Sequence, residues 1–114
     1  MQLTTEHEPD LMIVSVQEDR LDAAGAVAFK DAMKAATQDA PSRVMLNLRQ
    51  VRFLDSSGLG AIVSAMKQLA PARRLEVAAL QPNVMRVFRL TRMDTVIDVH
   101  ATVPVRHADL SKVS

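Results

Sequence analysis

The stretch Asp55-Ser56-Ser57-Gly58-Leu59-Gly60 lies between a continuous apolar run and a long amphipathic segment. The run before it, Arg43 to Leu48, is nearly all aliphatic, which is typical of a central strand covered on at least one face. After it, apolar residues recur at the spacing of one helix face: Leu59, Ile62, Val63, Met66 and Leu69. We therefore predict a strand, this connection, and a helix that starts at about Ser57 and ends before Pro71.

Strand and helix patterns also alternate outside this stretch. Upstream, the apolar run Leu11 to Val16 predicts a strand, and an alanine-rich helix follows from Ala23 to Gln38 with Asp22 as its N-cap. Downstream we predict a strand, a short helix and a last short strand: Leu75–Leu80, Asn83–Leu90 and Thr95–Val99. This alternation indicates an α/β fold with a largely parallel sheet, and three helices over a small sheet leave one sheet face open.

Length and composition limit the classes of protein to consider. The 114 residues fit a single domain, 1–114, in which residues 101–114 form either a terminal helix starting at Pro104 or a frayed tail. The net charge of +1 gives no case for direct binding to nucleic acid or to an acidic membrane. The chain has no cysteine and its first residues do not resemble a signal peptide, so we expect a cytoplasmic protein.

The chemistry of residues 55–60 has two readings. A helix N-terminus carries free amides and partial positive charge, and its first turn here is uncharged, so an anion beside Ser56 would be tolerated. The plainer reading is that Asp55 and the serines only cap the helix. The phosphate-loop and hydrolase-elbow motifs are absent, and His7, His100 and His107 are distant in sequence. We therefore predict no catalytic residue, no cofactor and no metal.

The wider string from Met45 to Gly60, MLNLRQVRFLDSSGLG, resembles the STAS domain family of bacterial anti-sigma-factor antagonists. The segments Arg20-Leu21-Asp22-Ala23 and Leu90-Thr91-Arg92-Met93-Asp94 resemble further parts of the family pattern, so the resemblance covers about residues 8–100. It implies a small mixed, mostly parallel sheet with helices packed on one side and no catalytic site.

By this resemblance, Ser56 matches a serine that is phosphorylated by an anti-sigma factor serine kinase. The unphosphorylated domain binds that kinase and frees a sigma factor, the phosphorylated domain lets go, and a PP2C-type serine phosphatase restores binding. We expect the partner-binding residues to be Asp22, Asp55, Ser57, Gly58, Leu59 and Ser64. Asp22 is included because the loop of Asp22 and the loop of Ser56 both precede helices, so they should share one edge of the sheet. The alternatives are simple capping for Asp22 and core packing for Leu59.

Three positions depart from the family pattern, which often has Gly at Asp19 and Arg92 and Asp at Asn47. A second function remains open: a STAS-type subunit of a lipid-transport or stress-signalling complex, without serine phosphorylation. A third, a small hydrolase using Ser56, lacks a paired base, a metal-ligand cluster and a cofactor loop.

Overall fold

The structure, a computed structural model, describes residues 1–104. Its main sheet is built from β1 (Leu3–His7), β2 (Leu11–Val16), β4 (Arg43–Asn47), β6 (Arg74–Ala78) and β7 (Asp98–His100). A second, two-stranded sheet pairs β3 (Arg20–Leu21) with β5 (Phe53–Leu54). The helices are α1 (Ala26–Ala36), α2 (Ser56–Leu69) and α3 (Pro82–Leu90), followed by a 3-10 turn at Met93–Thr95.

The main sheet has the order β1-β2-β4-β6-β7 and is parallel except at one edge. The pairs β2–β4, β4–β6 and β6–β7 are parallel, whereas β1 runs antiparallel to β2. In the centre, Val14 pairs with Leu46 and Leu46 with Val77, and all three side chains are fully buried. This confirms the predicted α/β class and its mixed, mostly parallel sheet.

The three helices pack on one face of the sheet. The main core joins alternate strand residues, such as Val14 and Leu46, to Phe29 of α1, Ile62 of α2 and Phe88 of α3. The opposite face carries a smaller cluster, and no helix within residues 1–104 contributes to it: Leu11, Ile13, Met45 and Ala78, with Val103 packed against them. Alternation along each strand explains both clusters, because successive side chains point to opposite faces.

On this second face, a buried carboxylate links three neighbouring strands. Glu76 of β6 accepts two hydrogen bonds from Arg43 of β4, at 2.8 and 2.9 Å, and its Oε1 lies 2.7 Å from Nε2 of His100 on β7. The hydrogen bonds from Arg43 are the main reason that the pKa of Glu76 lies below its ordinary value. The contacts in the folded sheet therefore stabilise the ionised form of Glu76.

Helix α1 starts later than the sequence predicts. The prediction of Asp22 as N-cap is wrong, because Asp22 belongs to a separate turn in which its carbonyl accepts from the amide of Gly25 at 3.0 Å. Gly25 is the N-cap, and its carbonyl accepts the amide of Phe29 at 2.9 Å. At the other end the helix stops at Ala36 rather than Gln38.

Two residues in left-handed backbone conformation explain where later elements end. Ala79 has φ 59°, so β6 stops at Ala78 and not at the predicted Leu80. Arg92 has φ 60° and precedes the 3-10 turn at Met93–Thr95, which delays β7 to Asp98–His100. The terminal helix predicted from Pro104 lies outside the described residues.

Candidate functional site

The short β3–β5 pair brings two loops together at the start of α2. In this parallel pair Arg20 is opposite Phe53 and Leu21 is opposite Leu54, and both leucines are buried. β5 is followed by Asp55 and α2, whereas β3 is followed by the turn at residues 22–25 that precedes α1, so this turn and the start of α2 lie side by side. The loop of Asp22 and the loop of Ser56 are therefore neighbours, as predicted, but the small β3–β5 sheet joins them rather than an edge of the main sheet.

The carboxylate of Asp55 joins the two loops. Asp55 is the N-cap of α2, and its Oδ1 accepts from the amide of Gly58 at 2.9 Å. Its Oδ2 accepts from the amide of Ala23, in the turn before α1, at 3.3 Å. Each carboxylate oxygen thus holds a different segment, so Asp55 sets both the helix start and the position of the neighbouring turn.

Gly58 permits α2 to approach the backbone of β3. A Cβ atom at Gly58 would lie 2.0 Å from the carbonyl oxygen of Leu21 and 2.9 Å from Cδ1 of Leu54. Two residues on, a Cβ at Gly60 would meet nothing within 4 Å. The two glycines of this stretch therefore differ: the first is required by packing, and the second faces open space.

Ser56 and Ser57 are exposed in the first turn of α2. Within residues 1–104 their backbone amides donate no hydrogen bond, and the first turn contains no acidic side chain. The site can therefore accept an anionic group attached to Ser56. In the same part of the chain neither serine is hydrogen-bonded to a histidine or a carboxylate.

The remaining predicted residues take different positions around this site. Asp22 is partly exposed, and its carboxylate accepts from the amide of Ala24 at 3.2 Å and from Nε of Arg20 at 3.1 Å. Ser64 is exposed two turns along α2 from Ser57. Leu59 is only 8% exposed and belongs to the main core. Ser56, Ser57 and Ser64 therefore form one accessible helix surface, with Asp55 and Asp22 beside it.

Two features of the site were not predicted from the sequence. The guanidinium of Arg20 lies 4.2 Å from the ring centroid of Phe53, which is 41% exposed. This cation–π contact lies beside the two loops, because Arg20 and Phe53 are on the two strands that precede them. The amide of Ala23 is the other unpredicted partner. Neither has a signal in the sequence, because both depend on the register of a two-residue strand pair.

Among residues 1–104, no group of three or more His, Cys, Asp or Glu side chains is arranged to hold a metal ion. None of the helices in that range has the length and apolarity needed to cross a membrane.

Comparison with known proteins agrees with this architecture. A family model described as the STAS domain matches residues 2–105. The fold is similar to the crystal structure of an anti-sigma factor antagonist from Mycobacterium paratuberculosis, with 26% sequence identity, a TM-score of 0.77, and coverage of 98% of this chain and 92% of that one.

Two further solved structures have the same fold. An anti-sigma-factor antagonist (STAS) domain protein from Planctomyces limnophilus is 22% identical, with a TM-score of 0.79 and 98% of each chain covered. The Bacillus cell fate determinant SpoIIAA, in its phosphorylated form, is 19% identical, with a TM-score of 0.63 and coverage of 99% of this chain and 100% of that one. Together with the family match over nearly the whole chain, these likenesses lead to one conclusion: the chain belongs to the STAS domain family.

Proposed function

We propose that this chain is an anti-sigma factor antagonist controlled by phosphorylation of Ser56. In the unphosphorylated form it binds an anti-sigma factor serine kinase and thereby frees a sigma factor; phosphorylation of Ser56 releases the kinase. A PP2C-type serine phosphatase reverses the modification. The observation that carries the proposal is the exposed Ser56 hydroxyl at the start of α2, beside two backbone amides without partners in residues 1–104.

A phosphate at this position would change the surface without changing the fold. It adds about −1.5 to −2 charge and three acceptor oxygens, and the free amides and the partial positive charge of α2 favour it there. Its charge would also add to those of Asp55 and Asp22 on the adjacent turn. A kinase docked on this surface would meet new bulk and new negative charge, so the complex dissociates while the domain stays folded.

The likenesses to known proteins support the proposal at different strengths. The Mycobacterium paratuberculosis protein is described as an anti-sigma factor antagonist and shares 26% of its residues with this chain. The Bacillus protein is described in a phosphorylated form, and its likeness to this chain supports a fold that tolerates the modification. The proposal requires a cytoplasmic protein and involves no cofactor and no direct contact with nucleic acid or membrane.

The proposed partner surface consists of the exposed groups around Ser56. Asp22, Asp55, Ser57 and Ser64 offer polar contacts on the two loops and on one face of α2. Gly58 and Leu59 are buried, so their contribution is to hold that face against β3 and the core. Asn47 removes a charge that the family often carries, but it lies on β4, where its amide donates to Oγ of Ser15 at 3.1 Å.

Intact-mass measurement tests the modification. The full chain is incubated with ATP and a candidate anti-sigma factor serine kinase from the same cell. We expect one added phosphate on the wild type and on Ser42→Ala, which removes an exposed serine from the opposite end of the sheet, and none on Ser56→Ala. A phosphate that persists in Ser56→Ala and is lost in Ser57→Ala would contradict the assignment to Ser56.

Binding to the same kinase tests the switch. Ser56→Asp should keep the far-ultraviolet circular dichroism and the unfolding midpoint of the wild type, yet bind the kinase about tenfold or more weakly. Loss of folded structure in Ser56→Asp would contradict release without refolding. If no candidate kinase adds phosphate while the protein still captures other defined partners, the alternative stands: a STAS-type subunit of a lipid-transport or stress-signalling complex.

A further inference from the structure

Although the net charge is small, acidic and basic side chains are unevenly distributed along the chain. Residues 1–39 contain eight acidic and three basic side chains, whereas residues 43–93 contain nine basic and two acidic ones. The segments 43–54 and 77–93 contain three arginines each and no Asp or Glu. Because β5 and α3 pack against each other, these two arginine-bearing segments meet in the fold.

Four exposed arginines lie along α3: two are on the helix itself, one is beside its start and one follows its end. Arg52 borders a cleft with Gln81, Pro82 and Asn83 at the start of the helix, and the side chain of Gln81 donates to the carbonyl of Arg49 at 2.7 Å. Helical spacing continues the line through the exposed residues Arg86 and Arg89, and Arg92 follows the helix end. We call Arg52, Arg86, Arg89 and Arg92 the arginine row.

The side chains of the arginine row have no hydrogen-bond or ion-pair partner within residues 1–104, unlike those of most other arginines there. Arg20, Arg43 and Arg74 each pair with a carboxylate, and Arg73 donates to the carbonyls of Gln38 and Ala40. Arg49 also lacks a side-chain partner, but its side chain borders a different cleft. Like charges at helical spacing, such as those of Arg86 and Arg89, repel each other and lower the stability of the free domain. A bound anion would relieve this repulsion.

Apolar side chains lie at the end of the row. Leu90 is 74% exposed at the end of α3, and Val96, next to the 3-10 turn that packs against α3, is 59% exposed. Arginine mixed with exposed apolar residues, without lysine, is typical of the composition of protein interfaces. A helix of nine residues is about 13 Å long, which matches about four residues of an extended partner.

We propose that the arginine row is a docking surface for an acidic protein segment that carries an apolar side chain. Its carboxylates pair with the guanidinium groups, for which planar bidentate contacts are favourable, and its apolar side chain covers Leu90. The cleft at the start of the row is lined by Arg52, Gln81, Pro82 and Asn83 and by none of the exposed serines of α2, and the inference stands whether or not Ser56 is phosphorylated.

A defined peptide tests this surface. The fluorescein-labelled peptide EELEELEE is titrated with the full chain at low ionic strength, where screening is weak, and binding is followed by anisotropy. We expect saturable binding that weakens about tenfold in Arg86→Gln/Arg89→Gln and is unchanged in Lys30→Gln/Lys34→Gln. The second variant removes the same charge from α1, so it separates the row from net charge.

The peptide variants and other anions complete the test. QQLQQLQQ should not bind, and EEGEEGEE should bind more weakly than EELEELEE because it lacks the apolar side chain. No saturable binding of EELEELEE, or equal losses in both double variants, would overturn the proposal. The proposal would also be overturned if phosphatidylglycerol vesicles or duplex DNA bound more tightly than the peptide and lost binding in Arg86→Gln/Arg89→Gln. The same holds if sedimentation showed self-association that requires these arginines and excludes the peptide. Both double variants should unfold at no lower urea concentration than the wild type.

Discussion

Replacing Gly58 by alanine should separate α2 from the β3–β5 pair. The added methyl group would lie 2.0 Å from the carbonyl oxygen and 2.7 Å from the carbonyl carbon of Leu21, both of which are backbone atoms. Side-chain rotation cannot relieve such contacts, so the first turn of α2 must shift. The shift would strain the two bonds that cross this junction, from the amide of Asp55 to Leu21 and from the amide of Ala23 to Asp55.

The expected loss follows from opposing effects. Alanine gains about 0.5–1 kcal/mol over glycine from its higher helix propensity. Overpacking against rigid backbone costs about 1–3 kcal/mol, and each weakened hydrogen bond costs about 0.5–1.5 kcal/mol. The net expectation for Gly58→Ala is a free energy of unfolding lower by about 2–4 kcal/mol. For a domain of this size that corresponds to a Tm lower by roughly 10 °C.

Gly60→Ala is the matched control two residues away. Nothing lies within 4 Å of its added methyl group, so only the helix propensity remains and the domain should gain about 0.5–1 kcal/mol. Urea unfolding should be followed by circular dichroism, because the chain has no Trp or Tyr for fluorescence. If Gly58→Ala unfolds at the same urea concentration as the wild type or Gly60→Ala, the close approach argued from Leu21 is refuted.

Three further substitutions test the site and the sheet. Asp55→Ala removes the helix cap and the bond to the turn before α1, so urea unfolding should show a loss of about 1–2 kcal/mol; full stability would contradict the bridging role. Glu76 has its pKa lowered mainly by the hydrogen bonds from Arg43, so the stability it contributes is present above its ordinary pKa of 4.5 and lost as pH falls further. The free energy of unfolding of the wild type should therefore exceed that of Glu76→Gln by about 1–3 kcal/mol at neutral pH. In urea titrations below pH 4.5 this difference should shrink, and a difference that does not change with pH would be inconsistent with this linkage. Arg92→Gly should raise the free energy of unfolding in urea by about 0.5–1 kcal/mol, because Arg92 has left-handed φ; a lower free energy of unfolding would contradict the backbone strain argued from that φ.

The main elements could be predicted because their apolar periodicity is strong. The predicted bounds of β2 match the observed ones, and α2 starts at Ser56, one residue before the predicted start. The sequence pattern does not predict the first strand, Leu3–His7, because its side chains are mostly polar and, of the five, only Leu3 packs against the core. An edge strand of this kind is defined by pairing with β2, which the local sequence does not encode.

The arrangement of the site was only partly predictable. The exposure of Ser56 and the cap by Asp55 follow from the local pattern of residues 55–60. The bond from Ala23 to Asp55 and the contact between Arg20 and Phe53 depend on two strands of two residues each. Strands this short have no periodicity, so tertiary packing alone sets their register. The left-handed Arg92, by contrast, had a signal, because it stands where the family often has Gly.

The two hydrogen bonds of the Asp55 carboxylate also limit which substitutions the loop before α2 can accept during evolution. Each oxygen of its carboxylate already has a backbone partner, at Gly58 and at Ala23, so a longer or neutral side chain would release one of them. If the proposed partner surface is correct, substitutions that change partner choice are confined to open positions of the same helix face, such as Ser57, Gly60 and Ser64. Duplicated copies of such a domain could diverge in specificity along that one face while the junction beneath it stays unchanged.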